Sequence, residues 1–328
     1  MLFISSPFRV SVVGGGTDYK SFFNKYGGRS IGFAINQGCL ISVNNKPNNP
    51  YKYRLTYSEV EETNVINEIK HKMLHTFIKS KNIQNIEIHY DATLNKCNGL
   101  GTSSAFACSL TAYDLNNHKC ELEEYSIAKG AIELERELMK EHGGWQDQIF
   151  SAYGGICDIS FAKNNFFVSQ IKPNRDSIKK LNNNLLLIVN KRNTSKKDLK
   201  KAKIKLSKNI ISLKSLNNLY DSTSKALFEG DIECLKAILR EVHVLKQKYT
   251  DLHSPETEPI ARLLDTLKCS YKVIGSGNGG GIFVIGDNEL KQKISKTLNQ
   301  NDIHGTKIIN INIAFDGTKI LQPFDENN

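Results

Sequence analysis

Hydrophobic residues recur along this chain with two different spacings, and each spacing predicts a different kind of element. Apolar side chains three and four positions apart predict amphipathic helices, whereas short runs that are apolar or alternate with polar residues predict strands. One clear helical pattern spans residues 64–81. Its apolar positions are Val65, Ile66, Ile69, Met73, Leu74, Phe77 and Ile78.

The predicted helices and strands follow one another irregularly. Strands are predicted at residues 2–4, 10–13, 30–35, 39–44, 86–90, 185–189, 271–274, 282–285 and 307–314, and directly after Gly155. Helices are predicted at residues 18–25, 64–81, 106–113, 122–142, 195–228, 232–249, 257–269 and 288–299, with a further start at 145–150. This mixture predicts an α+β fold and not a regular βαβ array.

The chain length of 328 residues allows one large or two medium domains. A polar stretch at Ala162–Asn165 predicts a boundary there, which would divide the chain into residues 1–165 and 166–328. No internal repeat is evident.

Composition adds that the chain is an ordinary globular protein, with 39% hydrophobic and 24% charged residues. No apolar run is long enough to cross a membrane, and the first residues lack the basic leader and apolar core of a signal peptide. The seven cysteines show no paired or metal-binding spacing. We therefore expect reduced thiols and a cytoplasmic protein that has no membrane partner.

The formal net charge of +10 raises the question of a nucleic-acid partner. The densest basic run lies between Lys191 and Lys208, where lysines alternate with Ala, Ile and Leu at helical spacing. It contains neither interleaved aromatic residues nor Gly-Arg repeats. We interpret it as the solvated face of a helix, and we expect no nucleic-acid partner.

The most informative segment reads Asn-Gly-Leu-Gly-Thr-Ser-Ser over residues 98–104, directly before an apolar run with helical spacing. Glycines and hydroxyl residues at a helix start present free backbone N–H groups and the positive end of the helix dipole, which favour a phosphate. The Gly-Lys-Ser/Thr ending of a Walker A loop is absent. An ordinary Ser or Thr helix cap is the alternative interpretation.

Two further segments are rich in glycine. The first glycine-rich segment, residues 14–18, reads Gly-Gly-Gly-Thr-Asp, and a plain loop with Asp18 as a helix cap is its alternative. The second glycine-rich segment is residues 98–104. The third, residues 275–281, contains G-x-G-x-x-G, but a strand-like run follows it instead of a helix, which excludes a dinucleotide-binding loop. A hairpin rich in glycine is the alternative there.

Together and in this order, the three segments resemble the motifs of the GHMP kinases, which carry an N-terminal Pro-x-Arg/Lys motif, a central Gly-Leu-Gly-Ser-Ser motif and a C-terminal glycine-rich motif. The runs Gly-Gly-Gly-Thr-Asp-Tyr and Gly-Gly-Trp-Gln-Asp-Gln are similar to those of the sugar-1-kinase branch, which contains D-glycero-D-manno-heptose 7-phosphate kinase and L-fucokinase. Galactokinases usually carry Gly-Glu-His-Thr-Asp-Tyr, from which this chain departs at Gly15 and Gly16. The resemblance implies a ribosomal-S5-like N-terminal domain and a ferredoxin-like C-terminal domain.

The resemblance also implies roles for individual residues. Asp147 would accept the proton of the substrate hydroxyl, and Arg9 would stabilise charge beside it. The implied ATP-binding residues are Gly99, Leu100, Gly101, Thr102, Ser103 and Ser104. Mg²⁺ would be bound by Ser103, with Ser104 as its alternative, and by Glu135, with Glu133 as a lesser candidate.

The implied substrate-binding residues are Asp18, Thr17, Gly16, Gly277, Gly279, Gly280 and Arg192. Lys191, Arg29 and Arg175 are further candidates for a substrate phosphate.

The implied activity is ATP-dependent phosphorylation of the anomeric hydroxyl of D-glycero-D-manno-heptose 7-phosphate to the 1,7-bisphosphate, for nucleotide-activated heptose and surface polysaccharide. The expected partners are ATP, Mg²⁺ and a phosphorylated sugar, in a monomer or homodimer. Alternatives are a kinase for fucose or another free hexose, an inactive sugar- or nucleotide-binding regulator, and an RNA-binding protein.

Overall fold

The fold is built on two antiparallel-rich sheets with helices packed against them. The computed structural model describes residues 1–46, 48, 50–94, 99–190, 210–248, 257–275, 281–301, 303 and 305–321. Within these ranges the strands are β1 (Leu2–Val13), β2 (Gly28–Asn45), β3 (Tyr53–Thr56), β4 (Val60–Thr63), β5 (Ile86–Ala92), β6 (Ile156–Ala162), β7 (Asn165–Ile171), β8 (Leu185–Asn190), β9 (Ser270–Val273), β10 (Gly281–Ile285), β11 (Thr306–Asn310) and β12 (Lys319–Leu321).

The same ranges contain eleven α-helices. They are α1 (Lys20–Tyr26), α2 (Lys72–Ser80), α3 (Thr102–Asn117), α4 (Glu124–Ile132), α5 (Gln146–Tyr153), α6 (Arg175–Asn182), α7 (Ile210–Ser215), α8 (Asn217–Glu229), α9 (Ile232–Gln247), α10 (Glu258–Thr266) and α11 (Asn288–Gln300). A 3₁₀ turn lies at Ile66–Glu68, and a π-helical turn at Glu133–Leu138 continues α4. The predicted α+β class is confirmed.

The larger sheet has eight strands, in the order β12-β1-β2-β5-β3-β4, with β6 and β7 attached through β2. The long strand β2 pairs with β1 along one edge, and its other edge is shared by β6 and β5. The smaller sheet has the order β11-β8-β10-β9 and is antiparallel throughout. One hydrophobic cluster contains residues of both sheets, and the rings of Phe33 and Phe283 meet there at 5.9 Å.

The structure corrects several sequence predictions in this part of the chain. The strands predicted at 2–4 and 10–13 are one strand, because polar residues between them fit within it; one of these, Ser6, is buried and hydrogen-bonds to Ser109 and Thr318. Strands predicted at 30–35 and 39–44 likewise form the single strand β2. The helix predicted at 64–81 begins only at Lys72, and β3, β4 and β12 were not predicted.

The predicted domain boundary at residue 165 does not coincide with the change of sheet. Lys163 and Asn164 adopt positive φ values of 49° and 58° and form the turn between β6 and β7, which both belong to the larger sheet. Polar residues in a tight hairpin turn thus resemble a linker in sequence. The smaller sheet begins at β8, and β12 returns the chain to the larger sheet. The start of the helix predicted at 195–228 lies outside the described residues.

Candidate active site

Four elements of the larger-sheet region converge on one cleft. Strand β1 carries Arg9 and leads into the first glycine-rich segment with Asp18. The second glycine-rich segment leads into α3 at Thr102. The π-helical turn carries Glu135, and α5 carries Asp147 in its first turn.

Arg9 and Asp147 form a bidentate ion pair at the centre of this cleft. The Arg9 Nε donates to Asp147 Oδ1 at 2.7 Å, and its Nη2 donates to Oδ2 at 2.6 Å. The third donor, Nη1, reaches the carbonyl of Gly99 at 2.6 Å. The Arg9 side chain is 4% exposed while that of Asp147 is 24% exposed, so the carboxylate retains access to a ligand. The predicted neighbours therefore do lie together, and a carboxylate held in this way is suited to accept a proton.

The start of α3 is open toward the cleft. The N-cap residue is Gly101, in the left-handed conformation, and it has no side chain with which to cap the first N–H groups. Ser103 and Ser104 instead direct their hydroxyls to Glu135. The alternative interpretation of a Ser or Thr cap is therefore wrong, and the backbone N–H groups of the first turn remain for an anion.

Glu135 is buried and joins the second glycine-rich segment to α5. Its Oε1 accepts from Ser103 Oγ at 2.7 Å, and its Oε2 accepts from Ser104 Oγ at 2.7 Å and from Gln148 Nε2. The Gln148 Oε1 is buried and has no hydrogen-bond partner within the described ranges. Hydroxyl, carboxylate and amide oxygens are the ligands that Mg²⁺ prefers, so this donor set fits the predicted ion.

No group of three or more His, Cys, Asp or Glu side chains in the described part of the chain is placed to hold a metal ion. The Glu135 group thus offers one carboxylate, which suits a cation that is shared with phosphate groups. Of the two predicted serines, Ser103 is exposed and Ser104 is buried.

Asp18 lies beside the Arg9–Asp147 pair and is buried. It accepts hydrogen bonds from the backbone N–H groups of Gly16 at 2.8 Å and Gln146 at 3.3 Å. Burial, and then the charge of Asp147, raise the pKa of Asp18. Gly144 makes this placement feasible, because a Cβ there would lie 1.7 Å from the Asp18 carboxylate. A buried carboxylate with a raised pKa is typical of a ligand-binding site.

The other predicted substrate residues divide into three groups. Gly16 lies in the cleft and holds Asp18 through its N–H. The Thr17 hydroxyl is buried and donates to the Arg29 carbonyl at 2.7 Å, and its contact with a substrate stays a prediction. Gly277, Gly279, Gly280, Arg192 and Lys191 lie outside the described residues.

The two remaining basic candidates occupy different surroundings. Arg29 makes a bidentate ion pair with Asp158 at 2.8 and 2.6 Å and a further bond to Asp221 at 2.7 Å, so its charge is already compensated. Arg175 is exposed in the first turn of α6. Neither contacts the Arg9–Asp147 pair.

A cavity of about 960 Å³ extends from the start of α3, and the sequence did not predict it. Thr102 and Ser103 belong to its lining, which carries the positive charges of Lys70 and Lys72 and the carboxylates of Glu59, Asp91 and Glu141. Its other notable lining residues are four aromatic side chains, Tyr57, His71, Tyr90 and Phe106. Ring centroids lie 4.7 Å apart for Tyr57–His71, 5.8 Å for His71–Phe106 and 4.7 Å for Tyr90–Phe106. The lining residues are spread over the chain from Tyr57 to Glu141, so no local sequence pattern could predict the cavity.

Comparison with known proteins agrees with this geometry. Residues 64–155 match the GHMP kinases N terminal domain, and residues 223–303 match the GHMP kinases C terminal domain. The D-glycero-alpha-D-manno-heptose 7-phosphate kinase of Campylobacter jejuni is 25% identical over 312 residues, which cover 89% of this chain and 91% of that protein. The galactokinase of Thermotoga neapolitana is 23% identical over 336 residues, which cover 90% of this chain and 92% of that protein.

Solved structures share the fold. A D-glycero-D-manno-heptose 1-phosphate kinase from Bacteroides thetaiotaomicron superposes with a TM-score of 0.78 at 19% identity, covering 99% of this chain and 100% of that chain. The galactokinase of Lactococcus lactis gives a TM-score of 0.71 at 13% identity, covering 97% and 94%. None of the helices within the described ranges is long and apolar enough to cross a membrane. With both family domains matched, together over more than half of its length, this chain belongs to the GHMP kinases and is an ATP-dependent kinase.

Proposed function

We propose that this kinase phosphorylates the anomeric hydroxyl of D-glycero-D-manno-heptose 7-phosphate and produces the 1,7-bisphosphate. The observation that carries the proposal is the bidentate Arg9–Asp147 pair beside the open start of α3. The choice of sugar rests on the Campylobacter jejuni relative and on the runs around Asp18 and Asp147. Such a product would supply nucleotide-activated heptose for surface polysaccharide.

In this proposal ATP occupies the aromatic-lined cavity, with its phosphates at the N–H groups of Thr102 and Ser103. Aromatic side chains suit the faces and edges of a nucleotide base, and the first turn of a helix suits phosphate oxygens. Mg²⁺ would be held by Ser103 and Glu135 and would neutralise phosphate charge. Ser104 supports Glu135 from the buried side.

The chemical step requires one proton transfer and one displacement. Asp147 accepts the proton of the sugar hydroxyl, the hydroxyl oxygen bonds to the γ-phosphorus, and the bond to the β-phosphate oxygen breaks to release ADP. Arg9 holds Asp147 in place and offers positive charge near the transferred group. Asp18 accepts hydrogen bonds from other hydroxyls of the sugar, which orients it for attack.

An ADP-release assay with Mg²⁺-ATP tests the substrate, using heptose 7-phosphate, free mannose, fucose, galactose and mevalonate. We expect strong turnover with heptose 7-phosphate alone. Turnover with a free sugar and none with the phosphorylated heptose would refute the proposed substrate and favour a free-hexose kinase.

The same assay tests the base. Asp147→Asn should lower kcat by about 10²–10⁴-fold, the range for loss of a general base, while nucleotide affinity stays close to wild type. Asp221→Asn is the matched control, because Asp221 is 91% exposed and its one ion-pair partner in the described part of the chain is Arg29. Near-normal turnover by Asp147→Asn would show that another group accepts the proton.

A further inference from the structure

Two lysines that the sequence analysis did not single out are buried directly behind the cleft. Lys246 on α9 is 6% exposed and Lys272 on β9 is 3% exposed. Among the described residues neither forms an ion pair with a carboxylate; both donate to backbone carbonyls. Burial of a cation without a counter-ion is costly, and apolar residues of similar size are often more stabilising. Their presence therefore indicates a role other than stability.

Lys272 binds the strand that leads to the first glycine-rich segment. Its Nζ donates to the carbonyls of Ser11 at 2.8 Å and Val12 at 3.1 Å. The β1–β2 register shifts between Ser11 and Val13, and such an irregularity interrupts the ladder and leaves backbone groups unpaired. Lys272 thus joins the edge strand of the smaller sheet to the part of β1 that precedes Asp18.

Lys246 binds the start of the third glycine-rich segment. Its Nζ donates to the carbonyls of Val273 and Gly275, each at 2.8 Å. Gly275 in turn lies against Gly99 of the second segment, so closely that a Cβ on Gly275 would be 2.3 Å from the Gly99 Cα. Arg9 completes the set by donating to the Gly99 carbonyl. Each of the three glycine-rich segments, or the strand next to it, is therefore bound by one cation.

The charges that face Lys246 come from four other elements. Burial, and then Arg9 on β1, lower the pKa of Lys246 to about 7, whereas Asp147 on α5 and Asp18 in the first segment act in the opposite direction. Burial, and then Lys246 and Arg9, lower the pKa of Lys272. A neutral Lys246 amine still has two N–H groups for its two carbonyl partners. Its third proton can therefore be gained or lost without breaking those hydrogen bonds.

We propose that Lys246 and Lys272 are positioning residues, which hold the three glycine-rich segments around Asp147 through backbone carbonyls and add positive charge to the cleft when anionic substrates enter. The proposal rests on the proposed role of Asp147 but not on the identity of the sugar. Phosphate groups near Lys246 favour its charged form, so nucleotide binding near neutral pH should be accompanied by proton uptake.

Lys246→Met and Lys272→Met test this proposal, because Met keeps the length and apolar character of the stem without a donor or a charge. Lys248→Met is the matched control, since Lys248 lies exposed at the end of the same helix. We expect both buried variants to lower kcat by about 10–100-fold, as displaced catalytic groups do, with only a small change in the nucleotide KM and without a loss of Tm. Wild-type kcat and an unchanged pH profile in both buried variants would overturn the proposal.

A second measurement needs neither a sugar substrate nor a catalytic readout. Calorimetry of Mg²⁺-ADP binding to the wild-type protein at pH 7, in buffers of different ionisation enthalpy, gives the number of protons taken up. We expect uptake in the wild type and in Lys248→Met, and a smaller uptake in Lys246→Met. Equal uptake in all three proteins would refute the role of Lys246 even if the Asp147 assignment held. Proton uptake without turnover on any sugar would refute the proposed substrate alone.

Discussion

Arg9 connects the proposed base to the phosphate-binding backbone with a single guanidinium. Two of its nitrogens hold Asp147, and the third holds the Gly99 carbonyl. A lysine could not make these contacts together, because an ammonium lacks the planar fork that matches a carboxylate. The position of Asp147 relative to the second glycine-rich segment is therefore set by one residue on β1.

Ser103 and Ser104 contact the same carboxylate from different surroundings, and this separates their roles. Ser103→Ala should raise the Mg²⁺ concentration for half-maximal activity by about 10-fold, the effect of losing about 1.4 kcal/mol of binding. Ser104→Ala should instead lower the free energy of unfolding by about 1–3 kcal/mol, because it leaves the buried Glu135 short of a donor. Mg²⁺ titrations and chemical denaturation of both variants measure the two effects.

The reverse result would reassign the metal ligand. If Ser104→Ala shifted the Mg²⁺ requirement and Ser103→Ala did not, the buried serine would be the ligand. Glu135→Gln serves as the common reference, since it alters the carboxylate that both serines contact.

At the scale of elements, the contact between the second and third glycine-rich segments depends on the absence of side chains. A Cβ on Gly99 would lie 2.6 Å from the Ile274 carbonyl oxygen, and one on Gly275 would lie 2.3 Å from the Gly99 Cα. The partners on both sides are backbone atoms, which cannot rotate away. The two segments can approach only if both positions are glycine.

Gly275→Ala should therefore separate the two segments and lower kcat by about 100-fold, as misplacement of catalytic groups by 1 Å does. Gly27→Ala is the matched control: φ is 72° at Gly27 and 73° at Gly275, but a Cβ on Gly27 would meet nothing within 4 Å. Both variants carry the backbone strain, on the order of 1–3 kcal/mol. Steady-state kinetics and Tm of the two variants therefore isolate the effect of the contact between Gly275 and Gly99. Equal kcat values for the two variants would contradict a role of this contact in catalysis.

The π-helical turn at Glu133–Leu138 also positions residues of the site, here within a longer helical element. The sequence predicts one uninterrupted helix over residues 122–142, but the widened turn changes which side chains face the cleft. Glu135 faces Ser103 and Ser104, while its neighbour Arg136 donates to the Gly144 carbonyl at 3.1 and 2.9 Å. Such turns are frequent at functional sites. Here two consecutive residues serve the proposed metal site and the turn beside Asp18.

At the scale of the whole molecule, the buried lysines make stability depend on pH. Between the lowered pKa of Lys246, about 7, and its usual value of 10.5, the unfolded chain binds more protons than the folded one. The contribution of Lys246 to the free energy of unfolding therefore rises with pH across that window. Below about pH 7 the penalty for burying the charge is fully present.

The difference in stability between Lys246→Met and the wild type should follow the same window. The variant should be more stable by on the order of a few kcal/mol near pH 7, and this advantage should shrink toward pH 10, because removing the lysine proton on folding costs less as the pH rises. Urea denaturation from pH 6 to pH 10 measures the difference. A constant difference across that range would mean that Lys246 keeps its usual pKa.

Much of the fold and part of the site could be predicted without coordinates. Spacing alone predicts the strands β5, β8 and β10 and the helices α9 and α11. The helices bury one face and therefore show a helical repeat of apolar residues, whereas the strands are short apolar or alternating runs. The edge strand β7 was missed because its residue Phe167 is 63% exposed and the strand lacks a clear apolar face. Arg9, Asp18, Glu135 and Asp147 were predicted through their motifs, and the structure brings them together.

The sequence by itself determined the α+β class, the three glycine-rich segments and the charged residues of the motifs, because local spacing and the freedom of glycine act over a few residues. Only the tertiary structure decided that Thr17 and Arg29 form hydrogen bonds with other residues of the protein. It also decided that aromatic side chains of separate elements line one cavity and that two lysines lie behind the cleft. Lys272 meets Ser11 across 261 positions of sequence. Burial and hydrogen bonding at that separation arise from packing of the two sheets, and no local pattern encodes them.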